Sequence, residues 1–320
     1  MILVTGGAGF IGSNIVRGLN LRGVSDILVV DNLRNVDKHR NLNRLRFADV
    51  ADKSDLPGLL SRLRGSEVEA VFHQGACSAT TESDGHYLLR NNYETTRDLC
   101  TWCQELGIPF LYASSASVYG EGNDGFREEE GCEWPINGYA WSKFAFDQWA
   151  RRNAASFRAP VAGLRYFNVY GPQENHKGGM VSPVFRFHQQ LRETGVLKLF
   201  EGSDGFRRDF VHVDDCVAVN LWLFDHLRAP GLSIHNVGTG TDRSFLEVGR
   251  ILSSRFPGSR IEEIPFPDHL KGKYQAFTRA DLSSLRAAGY TAPFLGLEEG
   301  IARYADVLDR TGGWHKEVLP

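Results

Sequence analysis

The sequence predicts an α/β protein built on a doubly wound parallel sheet, with a smaller α/β lobe for a substrate. Three observations carry that prediction. Short apolar runs alternate with segments of helical periodicity through the first half of the chain, the pattern of parallel strands joined by crossover helices. The first run, Ile2-Leu3-Val4, leads through a glycine-rich turn, Thr5 to Gly12, into a helix. With 320 residues, 42% of them hydrophobic, the chain is long enough to bury a sizeable core. A net charge of -3 without long single-sign runs argues against nucleic-acid or membrane-surface partners and for a small molecule. Five scattered cysteines predict reduced thiols in a cytoplasmic setting, with no disulfide and no metal site.

In the turn Thr5-Gly6-Gly7-Ala8-Gly9-Phe10-Ile11-Gly12, each glycine of the Gly6, Gly9, Gly12 spacing has a task. Gly6 permits the tight turn, Gly9 lets backbone approach a pyrophosphate, and Gly12 allows close helix packing, while the helix N-terminus offers free N–H groups. A second strand, Asp26 to Val30, ends at Asp31, 19 residues beyond Gly12, where a carboxylate can meet adenosine ribose hydroxyls. Together they predict a bound dinucleotide in a Rossmann arrangement. Asp31 suits a free ribose 2′-hydroxyl, whereas Arg34, Lys38, His39 and Arg40 suit a 2′-phosphate, so these residues leave the choice of cofactor open.

Arg46 to Val50 reads as a third strand before a helix at Ser54 to Arg64, and Ala70 to His73 as a fourth before Gly75. A helix follows from Tyr93 to Leu106, with Asn91 and Asn92 as its capping residues. Cys100 and Cys103 form a CxxC beside Leu99, Trp102 and Leu106, and with no second pair they read as packing thiols. The next strand, Phe110 to Ala113, ends in Ser114-Ser115-Ala116-Ser117-Val118-Tyr119-Gly120, and residues just past strand C-termini line the ligand crevice of such sheets. Tyr139 follows Ser115 by 24 residues in a helical run, with Lys143 four further on and so on the same face. A neighbouring ammonium and a cationic ring favour phenolate, which is expected to bring Tyr139 down from about 10 toward neutrality as a general base.

These features, in the order TGGAGFIG, SSASVYG and NGYAWSK, resemble the short-chain dehydrogenase/reductase superfamily. They are similar to its extended, nucleotide-sugar branch, the NAD-dependent epimerase/dehydratase family. After a fifth strand, Val161 to Arg165, the alternation breaks at Tyr166-Phe167-Asn168-Val169-Tyr170-Gly171-Pro172. The expected division is a dinucleotide-binding domain over 1–168, with a return segment near 211–238, and a substrate lobe over 169–320. Residues beyond Gly312 are expected to fray.

Four further motifs narrow the resemblance: EGS after Phe200 with RRDFVHVDD, RYFNVYGP before HKGGM, CSATTE at 77–82, and KYQAFTRADL with LRAAGY. Together they resemble the ADP-heptose 6-epimerases of lipopolysaccharide core synthesis. That likeness implies NADP as a tightly held cofactor, with NAD less favoured, ADP-heptose as substrate, and a homo-oligomer, pentameric in the family. It implies epimerisation through a 6″-ketone, with Ser115, Tyr139 and Lys143 as the catalytic trio. Lys177 is implied either as a second acid/base or as a phosphate or cofactor contact. Beyond Gly6 and Gly12, cofactor contacts are implied at Gly9, Phe10, Ile11, Asp31, Asn32, Lys38, Lys53, Gln74, Gly75, Ala76, Cys77, Ser78, Asn91, Lys143, Val169 and Lys177. Substrate contacts are implied at Asn168, Gly179, Arg186, Phe200, Glu201, Gly202, Ser203, Arg208 and Tyr274, with Arg208 rather than Arg207 turned inward. Two positions depart from the family pattern: Gly179 replaces a small hydroxyl residue, and Arg186 replaces a histidine, with His188 nearby leaving the register open.

A nucleotide-sugar 4,6-dehydratase needs an Asp-Glu pair where Ala116 and Ser117 stand. A UDP-hexose 4-epimerase shares Ser, Tyr and Lys and remains the alternative. A non-catalytic dinucleotide-sensing module is disfavoured, because it has no need of Tyr139 and Lys143.

Overall fold

The structure is a computed structural model and describes residues 1–63, 67–267 and 275–319. In chain order come β1 (Ile2–Thr5), α1 (Phe10–Leu21), β2 (Ile27–Asp31), β3 (Asp49–Asp52), α2 (Leu56–Leu60), β4 (Ala70–His73), α3 (Gly85–Leu88), α4 (Thr95–Leu106), β5 (Phe110–Ser115) and α5 (Gly138–Asn153). There follow β6 (Pro160–Tyr166), β7 (Asn168–Tyr170), α6 (Pro183–Thr194), β8 (Val196–Phe200), β9 (Arg207–His212), α7 (Val213–His226) and β10 (Gly231–Val237). The described chain closes with β11 (Asp242–Ser244), α8 (Phe245–Ser253), β12 (Arg260–Ile264), α9 (Ser283–Ala287) and α10 (Leu297–Thr311).

Seven strands form one parallel sheet in the order β10-β6-β5-β4-β1-β2-β3. Strand order reverses between β1 and β4, so the carboxyl ends of these two strands open onto the ligand crevice. Thr5 pairs in register with His73 there. On one face α1 and α7 pack Ile15, Val16 and Leu19 near Cys216, Val217 and Leu221. A Cβ at Gly18 would stand 2.6 Å from the Val217 side chain, which shows how closely these helices approach. On the other face α4 and α5 bring Leu99, Cys100, Cys103, Phe146 and Ala150 against Phe110 and Tyr112. Burial pushes the Cys100 thiol up to about 12, the behaviour of a packing group. A further core, with Phe185, Leu191, Leu199, Val248, Leu252 and Ile301, joins α6, α8 and α10 to the two-stranded sheet β12-β8.

Three sequence expectations need correction. The third strand begins at Asp49 rather than Arg46, because Asn20 at the end of α1 takes both backbone groups of Arg46, accepting from its N–H at 2.7 Å and donating to its carbonyl at 2.8 Å. Asn91 and Asn92 cap nothing: they lie inside a π-helical turn, Leu89–Glu94, that joins α3 to α4, and the cap belongs to Asp84, which accepts from Tyr87 N–H at 3.0 Å. The segment after Gly312 is anchored. Arg40 lies 4.8 Å over the Trp314 ring, His315 is 3.1 Å from Asn14, and Arg46 donates to the Leu319 carbonyl at 2.6 Å.

Candidate functional site

The cofactor half is built at the switch between β1 and β4. Gly6 adopts φ +65°, and a Cβ there would stand 2.6 Å from the Gly75 nitrogen, so only glycine lets the turn close against Gln74-Gly75. A Cβ at Gly12 would lie 2.1 Å from the Gly6 carbonyl oxygen. The helix these glycines open, α1, has Gly9 at its N-cap, no side chain capping it and no acidic residue in its first turn. An uncapped helix start between glycines that admit no Cβ fits a dinucleotide pyrophosphate, which the N–H groups of Phe10 and Ile11 are placed to meet. Gln74 adds a buried amide nitrogen with no hydrogen-bond partner among the described residues.

Asp31 ends β2 and is 4% exposed. Its Oδ2 accepts from Ala8 N–H at 2.8 Å, and its Oδ1 accepts from Asn32 N–H at 2.6 Å and from Lys38 Nζ at 2.7 Å. The carboxylate thus carries its own cation. Lys38 sits in a 3₁₀ turn, Val36–Asn41, that also carries His39 and Arg40. Lys53 donates to the Asn91 side chain and lies 5.8 Å over the Tyr87 ring, which ties the end of β3 to the π turn. Gln74 to Ser78 continue from β4 toward the same crevice.

Ser115 is the last residue of β5, and Tyr139 and Lys143 lie on the first turns of α5, whose N-cap Asn137 accepts from Ala140 N–H at 2.8 Å. The Ser115 hydroxyl lies within reach of the Tyr139 phenol, so the two side chains meet where β5 ends. Lys143 is 4% exposed and donates to the Ala113 carbonyl at 2.8 Å, which fixes its ammonium beneath the site. Burial lowers Lys143 to about 8, partly offset by the carboxylate of Asp147 one turn on. The expectation of a phenol near neutrality does not hold for the protein alone. Burial raises Tyr139, and the Ser115 bond offsets this only in part. Lys143 spends a donor on Ala113, and the cationic ring invoked for the shift belongs to the dinucleotide, not to the chain.

Asp147 itself is fully buried, accepting from Tyr112 Oη at 2.8 Å, Ser114 Oγ at 2.9 Å and Arg165 Nη2 at 2.8 Å. Arg165, also fully buried, pairs with Glu133 as well. Nothing in the spacing of these residues marked them, since the ion cluster joins α5, β6 and a loop.

Lys177 lies in a 3₁₀ turn, Asn175–Met180, with its Nζ 5.1 Å over the Phe10 ring at the start of α1. Burial lowers its ammonium and the carboxylate of Glu174 partly restores it. Asn168 and Val169 form β7 beside β9. The Gly179 carbonyl accepts from Arg186 on exposed α6 surface, so the two departures from the family pattern meet each other. His188 is 2% exposed and bonds Asp309 at 2.9 Å, turned into the core of α6 and α10. Phe200 ends β8, Glu201 and Gly202 are exposed, and Ser203 is buried. Arg208 is 5% exposed and its guanidinium meets the Gln275 carbonyl, while Arg207 pairs with Asp242 at the surface. Tyr274 lies outside the described residues.

The site is thus that of a nicotinamide-dinucleotide enzyme, with Ser115, Tyr139 and Lys143 gathered where β5 ends and α5 begins. Residues 2–238 match the NAD dependent epimerase/dehydratase family, and the chain belongs to that family. It is 52% identical over 318 residues to an ADP-L-glycero-D-manno-heptose-6-epimerase of Brachyspira hyodysenteriae, covering 98% of this chain and 99% of that protein. It is 54% identical over 314 residues to one of Alkalilimnicola ehrlichii, covering 96% and 97%. Among solved structures, the Helicobacter pylori ADP-L-glycero-D-manno-heptose-6-epimerase superposes with a TM-score of 0.85 at 28% identity, covering 97% of this chain and 96% of that one. The Thermus thermophilus UDP-glucose 4-epimerase in complex with NAD gives 0.81 at 30%, covering 97% and 99%. Among the described residues no helix is long and apolar enough to cross a membrane.

Proposed function

We infer that this chain inverts C6″ of ADP-glycero-D-manno-heptose, interconverting the D-glycero and L-glycero epimers. The observation that carries the reading is the likeness to 6-epimerases along nearly the whole chain, through both lobes. A bound nicotinamide dinucleotide would take the C6″ hydride and return it to the opposite face. Tyr139 accepts the O6″ proton as C6″ becomes a ketone and Ser115 orients the hydroxyl; the Lys143 ammonium and the cationic ring of the dinucleotide would together favour the phenolate. The reacting carbon is exocyclic, so rotation about its bond to the ring presents the second face. Lys177, desolvated over the Phe10 ring, would serve as acid/base for that face.

The dinucleotide is NADP in this reading. Asp31 would repel a 2′-phosphate if it were free, but Lys38 neutralises it at 2.7 Å, and His39 and Arg40 share the Lys38 turn. The assembly is a homo-oligomer and the expected compartment the cytoplasm. The division into a dinucleotide domain over 1–168 with a return near 211–238 and a substrate lobe over 169–320 remains part of this proposal. Incubation with ADP-D-glycero-D-manno-heptose, followed by separation of the epimers, tests the substrate. Turnover of UDP-glucose in place of ADP-heptose would overturn the reading in favour of a 4-epimerase. The mass of the nucleotide released on denaturation decides between NADP and NAD.

A further inference from the structure

Glu174 closes the loop that carries Lys177. Its carboxylate, fully buried, accepts from Ser182 N–H at 2.5 Å through Oε2 and from Ser182 Oγ at 2.6 Å through Oε1. Residues 174 and 182 bracket the 3₁₀ turn Asn175–Met180, so this one side chain joins the two ends of the turn. Ser182 is also the N-cap of α6, where its hydroxyl accepts from Phe185 N–H at 3.2 Å. The carboxylate therefore sits at the N-terminus of a 12-residue helix, an end that favours negative charge. From α10 the buried Tyr304 hydroxyl lies within its reach.

These neighbours hold the carboxylate, but all are neutral. Burial raises Glu174, and among the described residues the cation that acts on it is Lys177, three positions on, whose backbone N–H donates to the Glu174 carbonyl at 3.0 Å. The dependence runs both ways, because burial lowers Lys177 and Glu174 is the charged group that restores it. A buried charge without a partner is costly on either side, so each group favours the ionised form of the other. The remaining neighbours of the ammonium do not take this role. The Phe10 ring, 5.1 Å from Nζ, carries no charge, and His176, lowered to about 4 by burial and then by Lys38 and Lys177, is neutral at working pH. Asp31, which also acts on His176, is engaged by Lys38 at 2.7 Å.

We propose that Glu174 is a positioning residue that acts through Lys177: anchored to the start of α6, its carboxylate fixes the turn and supplies the counter-charge of the Lys177 ammonium. Glu174 does not touch substrate. The proposal rests on the epimerase reading for what Lys177 does in turnover, and on geometry for the pairing itself.

The test reads Lys177 directly in the full chain. Competitive acetylation with acetic anhydride across pH, followed by mass spectrometry of the peptide that carries Lys177, gives the pH at which its amine becomes reactive. In Glu174→Gln, which keeps the shape and removes the charge, that midpoint should fall below the wild-type value. In Glu174→Asp, which keeps the charge and shortens the reach to Ser182, it should stay nearer wild type. Epimerisation of ADP-heptose should slow several-fold in Glu174→Gln with KM within about twofold, and Glu174→Asp should recover part of the loss. An unchanged midpoint in Glu174→Gln, or an equal shift in both variants, would overturn the proposal. A wild type inert toward ADP-heptose removes the substrate reading, while the acetylation midpoints still decide the pairing. Should Glu174→Gln fail to fold, Lys177→Met decides. A buried carboxylate stripped of its cation destabilises the fold as pH rises above the ordinary carboxylate range, so the Tm of Lys177→Met relative to wild type should drop between about pH 5 and about pH 7. A Tm difference that does not vary with pH rules the pairing out.

Discussion

Lys143 and Lys177 are both desolvated lysines at one crevice, and they are held by opposite means. Lys143 stands on regular helix, in a 16-residue α5, and its ammonium is fixed by the Ala113 carbonyl of the adjoining strand. Lys177 stands on a short 3₁₀ turn broken at Gly178, whose φ of 54° and ψ of -122° are not helical. The turn next to it is stitched by distant segments: Gln173 N–H donates to the Gly313 carbonyl at 2.8 Å, Asn175 to the Gly312 carbonyl at 2.7 Å, and Asn41 to the Gln173 carbonyl at 3.0 Å. One lysine is placed by its own element, the other by the C-terminal segment and the Lys38 turn together. Lys143 is therefore held rigidly, whereas the position of Lys177 depends on how the remote pieces close.

The largest expected effect is at the rigid centre. Tyr139→Phe removes the proton acceptor while the ring still packs, so epimerisation of ADP-heptose should fall by roughly 10²–10⁴, the span typical of general acid/base groups, with the released nucleotide unchanged. Turnover within a few fold of wild type would remove Tyr139 from the chemistry. Lys177→Met keeps the stem over Phe10 and removes the charge, and a loss of about 10²-fold is expected if Lys177 serves the second face. Rapid-quench assays started from each epimer separately sharpen the contrast. The two variants should slow the first half-reaction of opposite epimers, whereas a Lys177 that only binds phosphate would slow both alike and raise KM.

The pH dependence separates the lysines further. Lys143 is lowered to about 8, so its proton is lost as pH rises through that value, and with it the positive charge that favours the phenolate. Activity should fall on the alkaline side near that pH. Lys143→Arg, which stays charged, should lower the rate but abolish the limb, and Lys177→Met should retain it. A limb that persists in Lys143→Arg assigns it elsewhere.

The same contrast explains what could be read from the chain. The parallel sheet, the glycine turn with Asp31, and the Ser115, Tyr139, Lys143 trio were legible because each depends on local periodicity and short spacing. Arg46 was placed in a strand because its apolar neighbour Phe47 reads as sheet, while the competing bonds from Asn20 are long-range. Asn92 was read as a cap because Asn before a helical run favours one, and a π turn has no pattern that distinguishes it. Burial raises Tyr139 in the protein alone, because the Lys143 ammonium points to the Ala113 carbonyl and the cationic ring of the expected shift comes only with the dinucleotide. Trp314 and Leu319 were expected to fray because terminal position was the only signal, and their partners lie more than two hundred residues away.

The smallest expected effect tests the loop end of the comparison. A Cβ at Gly178 would meet nothing within 4 Å, so Gly178→Ala introduces no clash and acts through backbone alone. At φ 54° and ψ -122° an alanine is strained by about 1–3 kcal/mol, and the turn can escape that strain by moving, because residues 178–180 are exposed. The Lys177 ammonium would move with it. The expected outcome is a few-fold loss of kcat with a Tm within a few degrees of wild type, and with the alkaline limb near 8 intact because α5 is untouched. If instead Gly178→Ala turns over like wild type while Lys177→Met does not, then the ammonium keeps its place when the turn relaxes, and contact with the Phe10 ring and Glu174, rather than the closure of the loop, is what positions it.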